Sequence, residues 1–411
     1  MASFPCRFCG TQLEHRVVDL GMTPLCESFL PEDRVDAMEP FYPLNAWVCH
    51  ECFLVQINDY VTADHIFDEY AYFSSYSTSW LQHARDYVAS IIDRLSLGPD
   101  SFVVELASND GYLLQYMVER QIPCLGVEPA KNVAAAAIER GVPTDVAYFG
   151  VETALHMAAA GKLADLVCGA NVLAQVPDLN DFVAGIPIIL KPDGVVTIEF
   201  PHVVKTIEGN QFDQIYHEHF CYFGLTSAEA VFAGHGLTIF DVDELPTHGG
   251  SLRIYARHAR NNGSWPVAGR VNELRSREES AGYRDVAMYA RFEERVRETK
   301  RKILDVLIEA KRAGKTIAGY GAPGKGNTLL NYCGIRRDFI DFTVDRNPYK
   351  HGRYLPGTHI PVFPPDKIDE ARPDYILILP WNLKDEIMDQ LAYTRSWGAR
   401  FIVPIPEPTV L

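Results

Sequence analysis

Two pairs of cysteines offer the most specific chemistry in the chain. Cys6-Arg7-Phe8-Cys9 and Cys49-His50-Glu51-Cys52 each place two thiols on a tight knuckle, and together they complete a tetrahedral ligand set of the kind zinc takes. A four-thiolate site leaves no position open for water or substrate, so its expected role is to hold a segment too short to build its own core. The competing reading is two reduced pairs without metal. Redox activity is disfavoured because neither pair stands at a strand-to-helix junction. Cys26 is left unpaired and reads as a buried thiol.

A second signal runs from Glu105 to Gly111. Phe102-Val103-Val104-Glu105-Leu106 is an apolar strand ending near a carboxylate, followed by Ala107-Ser108-Asn109-Asp110-Gly111 and a helix expected to start near Tyr112. Such a turn presents backbone N–H groups and a positive helix end at the carboxyl edge of a sheet, where ligands bind. A dinucleotide loop wants Gly-x-Gly-x-x-Gly, and this one has a single glycine. A carboxylate there suits a sulfonium or ammonium group, and S-adenosylmethionine carries both. Glu128 ends the next strand, 23 residues after Glu105, as expected of an acid accepting from ribose hydroxyls. The stretch Asp145 to Gly150, with Phe149, is placed to border the adenine, and Asn171 follows the fourth strand. Ala107, Asn109 and Gly111 complete the expected cofactor contacts.

The third signal is Gln214-Ile215-Tyr216-His217-Glu218-His219-Phe220-Cys221-Tyr222, the densest run of titratable and aromatic side chains. Histidine titrates near neutral pH and tyrosine can donate to a developing oxyanion, so the run offers acid–base chemistry beside the cofactor crevice. A metal site or a packed aromatic loop are the plainer readings, and the His217/His219 spacing is not that of His-Glu-x-x-His.

The elements that position these residues follow from periodicity. A helical pattern from Ser77 (Trp80, Leu81, Ala84, Val88, Ile91, Ile92, Leu95) precedes strand candidates at 102–106, 124–128, 166–170 and 195–200, separated by helix-length segments. That alternation predicts a parallel sheet. A helix near 227–233 and strand-like runs at 238–242 and 251–256 supply an antiparallel ending. Residues 271–313 are charged and helical in pattern. A second α/β unit follows, with strands expected at 316–320, 339–344, 375–379 and 401–403.

At 411 residues the chain exceeds what one core usually supports. The reading is α/β in three parts: a zinc-binding module over 1–71, a Rossmann-like methyltransferase unit over 72–268, and a helical linker with a C-terminal Rossmann-like α/β domain over 269–411. Hydrophobic residues at 47% and charged residues at 22% suit globular folding. The net charge of −16 disfavours a nucleic-acid substrate. No apolar run approaches the roughly 18 residues of a membrane span, and the N-terminus lacks a secretory pattern, so a cytoplasmic protein is expected. Nine cysteines in such a chain point to thiols or metal ligands rather than disulfides.

Taken in order, the cysteine pairs, Val-Glu-Leu-Ala-Ser-Asn-Asp-Gly, Tyr216-His217-Glu218-His219-Phe220, His248-Gly249-Gly250-Ser251, Gly319-Tyr320-Gly321-Ala322-Pro323-Gly324-Lys325 and Pro380-Trp381-Asn382 resemble the sugar C-methyltransferases of deoxysugar biosynthesis over nearly the whole chain. The resemblance implies an N-terminal zinc domain, a central S-adenosylmethionine domain and methylation at C-3 of a nucleotide-linked 4-keto-6-deoxy sugar, with dTDP the expected nucleotide. It matches His219 to the base, with Tyr216 and Glu218 beside it, and Tyr72 to a further active-site tyrosine. Gln175 departs from the pattern: some relatives carry His in an Asn-x-Leu-x-His run where this chain has Asn171-Val172-Leu173-Ala174-Gln175. Glutamine can hydrogen-bond but takes no proton at neutral pH. It is kept, with His248, Gly249 and Lys325, among the residues expected to meet the substrate.

The loop 319–324 is a formal Gly-x-Gly-x-x-Gly between a strand and a helix, and Asp345 ends the next strand. Read alone it suggests a nicotinamide-dependent or bifunctional nucleotide-sugar enzyme. Proline within the turn and Lys325 after it equally suit an anion held by backbone amides and one charge. A non-catalytic sugar-nucleotide binding protein is the remaining alternative.

Overall fold

The structure is a computed structural model that describes residues 4–61, 73–261 and 263–411. Its strands form three sheets among the described residues. The first runs β1 (His15–Thr23), β2 (Tyr42–Val48), β3 (Val55–Ile57) and β9 (Cys221–Tyr222), all antiparallel. Its last strand comes from the His/Tyr run, which pairs Val55 with Tyr222 and Gln56 with Cys221. The sequence reading gave the first 71 residues no sheet, because bulges between Arg16 and Val18 and between Asp19 and Met22 break the alternation of β1.

The central sheet comprises β4 (Val103–Leu106), β5 (Cys124–Val127), β6 (Thr144–Asp145), β7 (Ala164–Ala170), β8 (Leu190–Pro201), β10 (Leu237–Leu245) and β11 (Ser251–His258). Its order is β10-β11-β8-β7-β4-β5-β6. Strands β4 to β8 are parallel, and β11 and β10 close the edge antiparallel, as the periodicity predicts. Every residue of β4 is buried, so its sequence reads as an unbroken apolar run apart from Glu105.

One expectation is corrected here. The helix after the cofactor loop starts at Gln115, not near Tyr112. Gly111 adopts φ +76°, which breaks the helical run, and a Cβ there would stand 3.0 Å from Val142 Cγ2. The loop thus turns twice before the helix begins.

The third sheet comprises β12 (Ile317–Tyr320), β13 (Thr343–Val344), β14 (Val362–Phe363), β15 (Tyr375–Ile378), β16 (Arg400–Val403) and β17 (Thr409–Val410), ordered β14-β13-β12-β15-β16-β17. All neighbours are parallel except β16 and β17. The region 271–313 forms helices Gly269–Ser280, Val286–Ala290 and Phe292–Arg312. Val17, Leu44 and Val55 of the first sheet share one buried apolar cluster with Val296, Leu329 and Ile376, so the first and third sheets pack through a common core. Among the described residues, no helix is long and apolar enough to cross a membrane.

Candidate active site

The four Sγ atoms of Cys6, Cys9, Cys49 and Cys52 lie within 4.8 Å of one another, with separations of 3.6 Å for Cys6–Cys52, 3.5 Å for Cys9–Cys49 and 3.8 Å for Cys9–Cys52. A tetrahedron with metal–sulfur bonds of about 2.3 Å has edges of about 3.8 Å, so the residues fit zinc. Gln56 Nε2 donates to Cys6 Sγ at 3.2 Å, the kind of outer contact that orients a thiolate ligand.

At the carboxyl ends of β4, β5 and β7 a cavity of about 350 Å³ opens. Of the predicted cofactor residues, Ala107, Asn109, Glu128, Phe149 and Asn171 line it, as does Gln175. Glu105 and Gly111 do not. Glu105 is fully buried behind the loop, and burial pushes its pKa well above the usual carboxylate range, with a hydrogen bond from Tyr112 pulling the other way.

Glu128 Oε2 accepts from the Asn109 amide and Oε1 from the Ala130 amide, both at 2.9 Å. These bonds aim the carboxylate and leave each oxygen a lone pair for hydroxyl donors. Phe149 packs edge-on against Phe182 at 5.4 Å, and both rings face the cavity. Asn171 holds φ +61°, and its Oδ1 is buried without a partner among the described residues. An acid for ribose hydroxyls, an aromatic wall and an unpaired amide oxygen together fit S-adenosylmethionine.

Trp80 also lines the cavity, which the sequence reading took only as an apolar helix position. Its ring stacks on Tyr112 at 5.9 Å and meets His248 edge-on at 5.0 Å. Ser74, likewise missed, donates its amide to Asn109 Oδ1 at 2.9 Å and so ties the segment before the helix Thr78–Leu95 onto the cofactor loop. Tyr72 lies outside the described residues.

A second cluster adjoins the cavity through Asn171, whose Nδ2 lies 3.0 Å from His248 Nε2. His248 has φ +54°, a costly conformation for a residue with a side chain, and flanking glutamines support it. Gln214 Nε2 donates to the His248 carbonyl at 2.6 Å and Gln211 Nε2 to the Gly249 carbonyl at 2.7 Å. Gly249, with φ +88°, lets Trp381 approach, since a Cβ would lie 2.5 Å from the indole. Tyr216 Oη lies 2.8 Å from His219 Nε2. Burial holds His219 down at about 3 and, with the Lys325 charge adding to the effect, His248 at about 4, so both imidazoles are neutral at pH 7.

Lys325 joins this cluster from the third sheet's side. Its Nζ donates to Asn382 Oδ1 at 2.8 Å and stands 4.9 Å from the Trp381 ring centroid. Trp381 Nε1 donates in turn to Asp213 Oδ2 at 2.6 Å. Burial lowers Lys325 to about 8, opposed by the Asp213 carboxylate, and raises Asp213 to about 6, opposed by the Lys325 charge. Asp213 carried no sequence signal of its own, whereas Trp381 and Asn382 belong to the motif Pro380-Trp381-Asn382.

Glu218 is not brought together with His219. It accepts from Cys26 Sγ at 3.4 Å, and burial with the neighbouring Glu27 raises it to about 8. Glu27 accepts from the Gly324 amide at the start of the helix Gly324–Cys333 and pairs with Lys350 at 3.3 Å. The anion position of the glycine-rich loop is therefore filled by a carboxylate of the chain itself. This arrangement opposes a dinucleotide there.

A methyltransferase sheet carrying a cofactor cavity, joined to a four-thiolate module, defines the class. Residues 80–242 match the family model described as a methyltransferase domain, residues 6–67 a zinc binding domain, and residues 246–406 a C-methyltransferase C-terminal domain. C-methyltransferase NovU of Streptomyces niveus is 37% identical over 406 residues, covering 99% of this chain and 96% of its own. The chain belongs to the C-methyltransferase family and is S-adenosylmethionine-dependent, with a zinc-binding N-terminal domain. Among solved structures, an S-adenosylmethionine-dependent methyltransferase from Clostridium acetobutylicum aligns at TM-score 0.36 and 13% identity over 43% of this chain and 92% of its own. One from Thermotoga maritima, titled a possible histamine N-methyltransferase, aligns at TM-score 0.34 and 17% identity over 48% and 99%.

Proposed function

We propose that this C-methyltransferase methylates C-3 of a nucleotide-linked 4-keto-6-deoxy sugar, with His219 as the base. The observation that carries the reading is the hydrogen bond of the buried His219 with the partly buried Tyr216, near Lys325 and adjoining the cofactor cavity through Asn171 and His248. A carbon next to a ketone becomes nucleophilic only after losing a proton. His219, neutral and turned by Tyr216, takes the C-3 proton, and the C–H electron pair moves toward the ketone oxygen. The Lys325 ammonium, charged below about 8, stabilises the enolate. S-adenosylmethionine, when bound, supplies an electrophilic methyl group and departs as the thioether. Residues 1–71 brace the reaction loop, 72–268 hold the methyl donor, and 269–411 contribute Lys325 and the sugar-nucleotide contacts, with His248, Gly249 and Gln175 on the substrate side and Tyr72 as a further active-site tyrosine. Gln175 serves as a hydrogen-bonding group only.

The test is mass spectrometry with S-adenosylmethionine and a dTDP-4-keto-6-deoxy sugar. A product heavier by one methyl is expected, together with solvent deuterium at the α-carbon when the methyl donor is omitted. Neither change across a panel of keto sugars would overturn the sugar reading.

A further inference from the structure

Arg7 stands between the first two zinc ligands, and its side chain is 11% exposed. Its Nη1 donates to the Pro177 carbonyl at 2.7 Å and to Asp59 Oδ2 at 3.0 Å. Its Nη2 donates to the Ile57 carbonyl at 3.1 Å and pairs with Asp59 Oδ1. The guanidinium also lies over the Phe220 ring, 4.9 Å from its centroid. Pro177 lines the cofactor cavity, Ile57 ends β3, and Phe220 follows His219 in the chain.

The rest of the knuckle reaches the same two places. Asn180 Nδ2 donates to the Arg7 and Phe8 carbonyls at 3.0 Å each, which seats the knuckle on the segment behind the cavity. Gln56 Oε1 accepts the Arg7 amide at 2.8 Å, and Gln56 pairs across the sheet with Cys221, two residues beyond His219. One planar cation with five donors thus satisfies two carbonyls and a carboxylate while stacking on a ring. Lysine, a point charge, cannot reproduce that pattern.

We propose that Arg7 is a positioning residue that locks the zinc knuckle to the wall of the cofactor cavity and to the His219 loop at once. The metal module thereby sets both cofactor affinity and the placement of the base. A purely local role, holding the knuckle closed, would leave both unchanged once zinc is bound.

The experiment uses full-length Arg7→Ala and Arg7→Lys, each assayed for zinc content, for S-adenosylmethionine Kd by calorimetry and for methyl transfer. The expected result is one zinc per chain in both variants, a Kd at least tenfold weaker in Arg7→Ala with full binding stoichiometry, and a lower kcat. Arg7→Lys, which keeps the Asp59 pair, is expected to shift the same way by a smaller factor and remains informative if Arg7→Ala fails to fold. Loss of active fraction alone, with Kd and KM for S-adenosylmethionine unchanged, would mark Arg7 as merely structural and overturn the proposal. Recovery of wild-type Kd and kcat in either variant on adding zinc would overturn it as well.

Discussion

The amide Nδ2 of Asn171 lies 3.0 Å from Nε2 of His248, and this contact joins the wall of the cofactor cavity to the strained loop beside His219. Asn171→Ala removes it and also removes an amide oxygen that has no partner among the described residues. A neutral hydrogen bond contributes about 1 kcal/mol net, so S-adenosylmethionine affinity should fall by about three- to tenfold. Calorimetry on the variant checks this, and an unchanged Kd would place the cofactor's contacts elsewhere.

His219→Asn should abolish solvent exchange at the substrate α-carbon, a loss of about 10²–10⁴, while cofactor binding persists. Because His219 is held at about 3, it stays an unprotonated base throughout the neutral range. Lys325, at about 8, loses its charge as pH rises through that value. The rate should therefore be flat near neutrality and fall above about pH 8, and Lys325→Gln should be slow and lack the alkaline limb. A pH–rate profile of the exchange reaction distinguishes these outcomes.

Glu218 is raised from 4.5 to about 8 by burial and by Glu27, so it carries its proton at neutral pH. Glutamine mimics that neutral form, and Glu218→Gln should retain most activity at pH 7. The sign of the linkage follows from the raised value: the contribution is fully present below 4.5 and is lost as pH rises through about 8. Thermal unfolding of the native chain should thus weaken across that window more than unfolding of the variant. Equal pH dependence of the two melting curves would contradict a protonated Glu218.

Glu199 behaves oppositely. Burial alone would raise it, but the His83 hydrogen bond at 2.9 Å, the Arg253 pair at 2.6 Å and the Thr247 hydroxyl hold it at about 2. Its stabilising contribution is complete above 4.5 and is lost as pH falls through about 2. Glu199→Ala leaves Arg253 buried and unpaired, at a cost of about 3–5 kcal/mol. Denaturant unfolding should show a loss of that size, and a loss under about 1 kcal/mol would mean that Arg253 relaxes to solvent.

Zinc removal should act at a distance. Cys52→Ser, or chelation under mildly denaturing conditions, should abolish methyl transfer, although the four cysteines lie outside the cofactor cavity. Metal analysis of the native protein should give one zinc per chain, and activity of a zinc-free preparation would refute a bracing role.

The parallel core of the central sheet was legible because strands buried on both faces read as apolar runs, as Val103-Val104-Glu105-Leu106 does apart from Glu105. The zinc ligands were legible because thiolate spacing is a local property. The first sheet was not, since β1 is bulged and β9 contributes only Cys221 and Tyr222. That Glu105 and Gly111 stand off the cavity wall was not legible, because the loop pattern carries no information about which side chains turn under it. Asp213 and Trp80 entered the site through pairings over long sequence separations, Trp381 with Asp213 and Trp80 with His248, which no local window contains. What meets the glycine-rich loop was hidden for a similar reason: Glu27, which accepts from the Gly324 amide, lies nearly 300 residues upstream.

Strand β9 also bears on the order in which the chain acquires its shape. β3 ends at Ile57, and the partner that covers its free edge arrives only with Cys221 and Tyr222. During synthesis the N-terminal segment therefore emerges with an open strand edge and must wait for about 165 further residues, a contact of high sequence separation and correspondingly slow closure. Excising the first 60 residues to obtain a minimal enzyme would leave the loop bearing His219 as a bare edge, prone to pair with other chains.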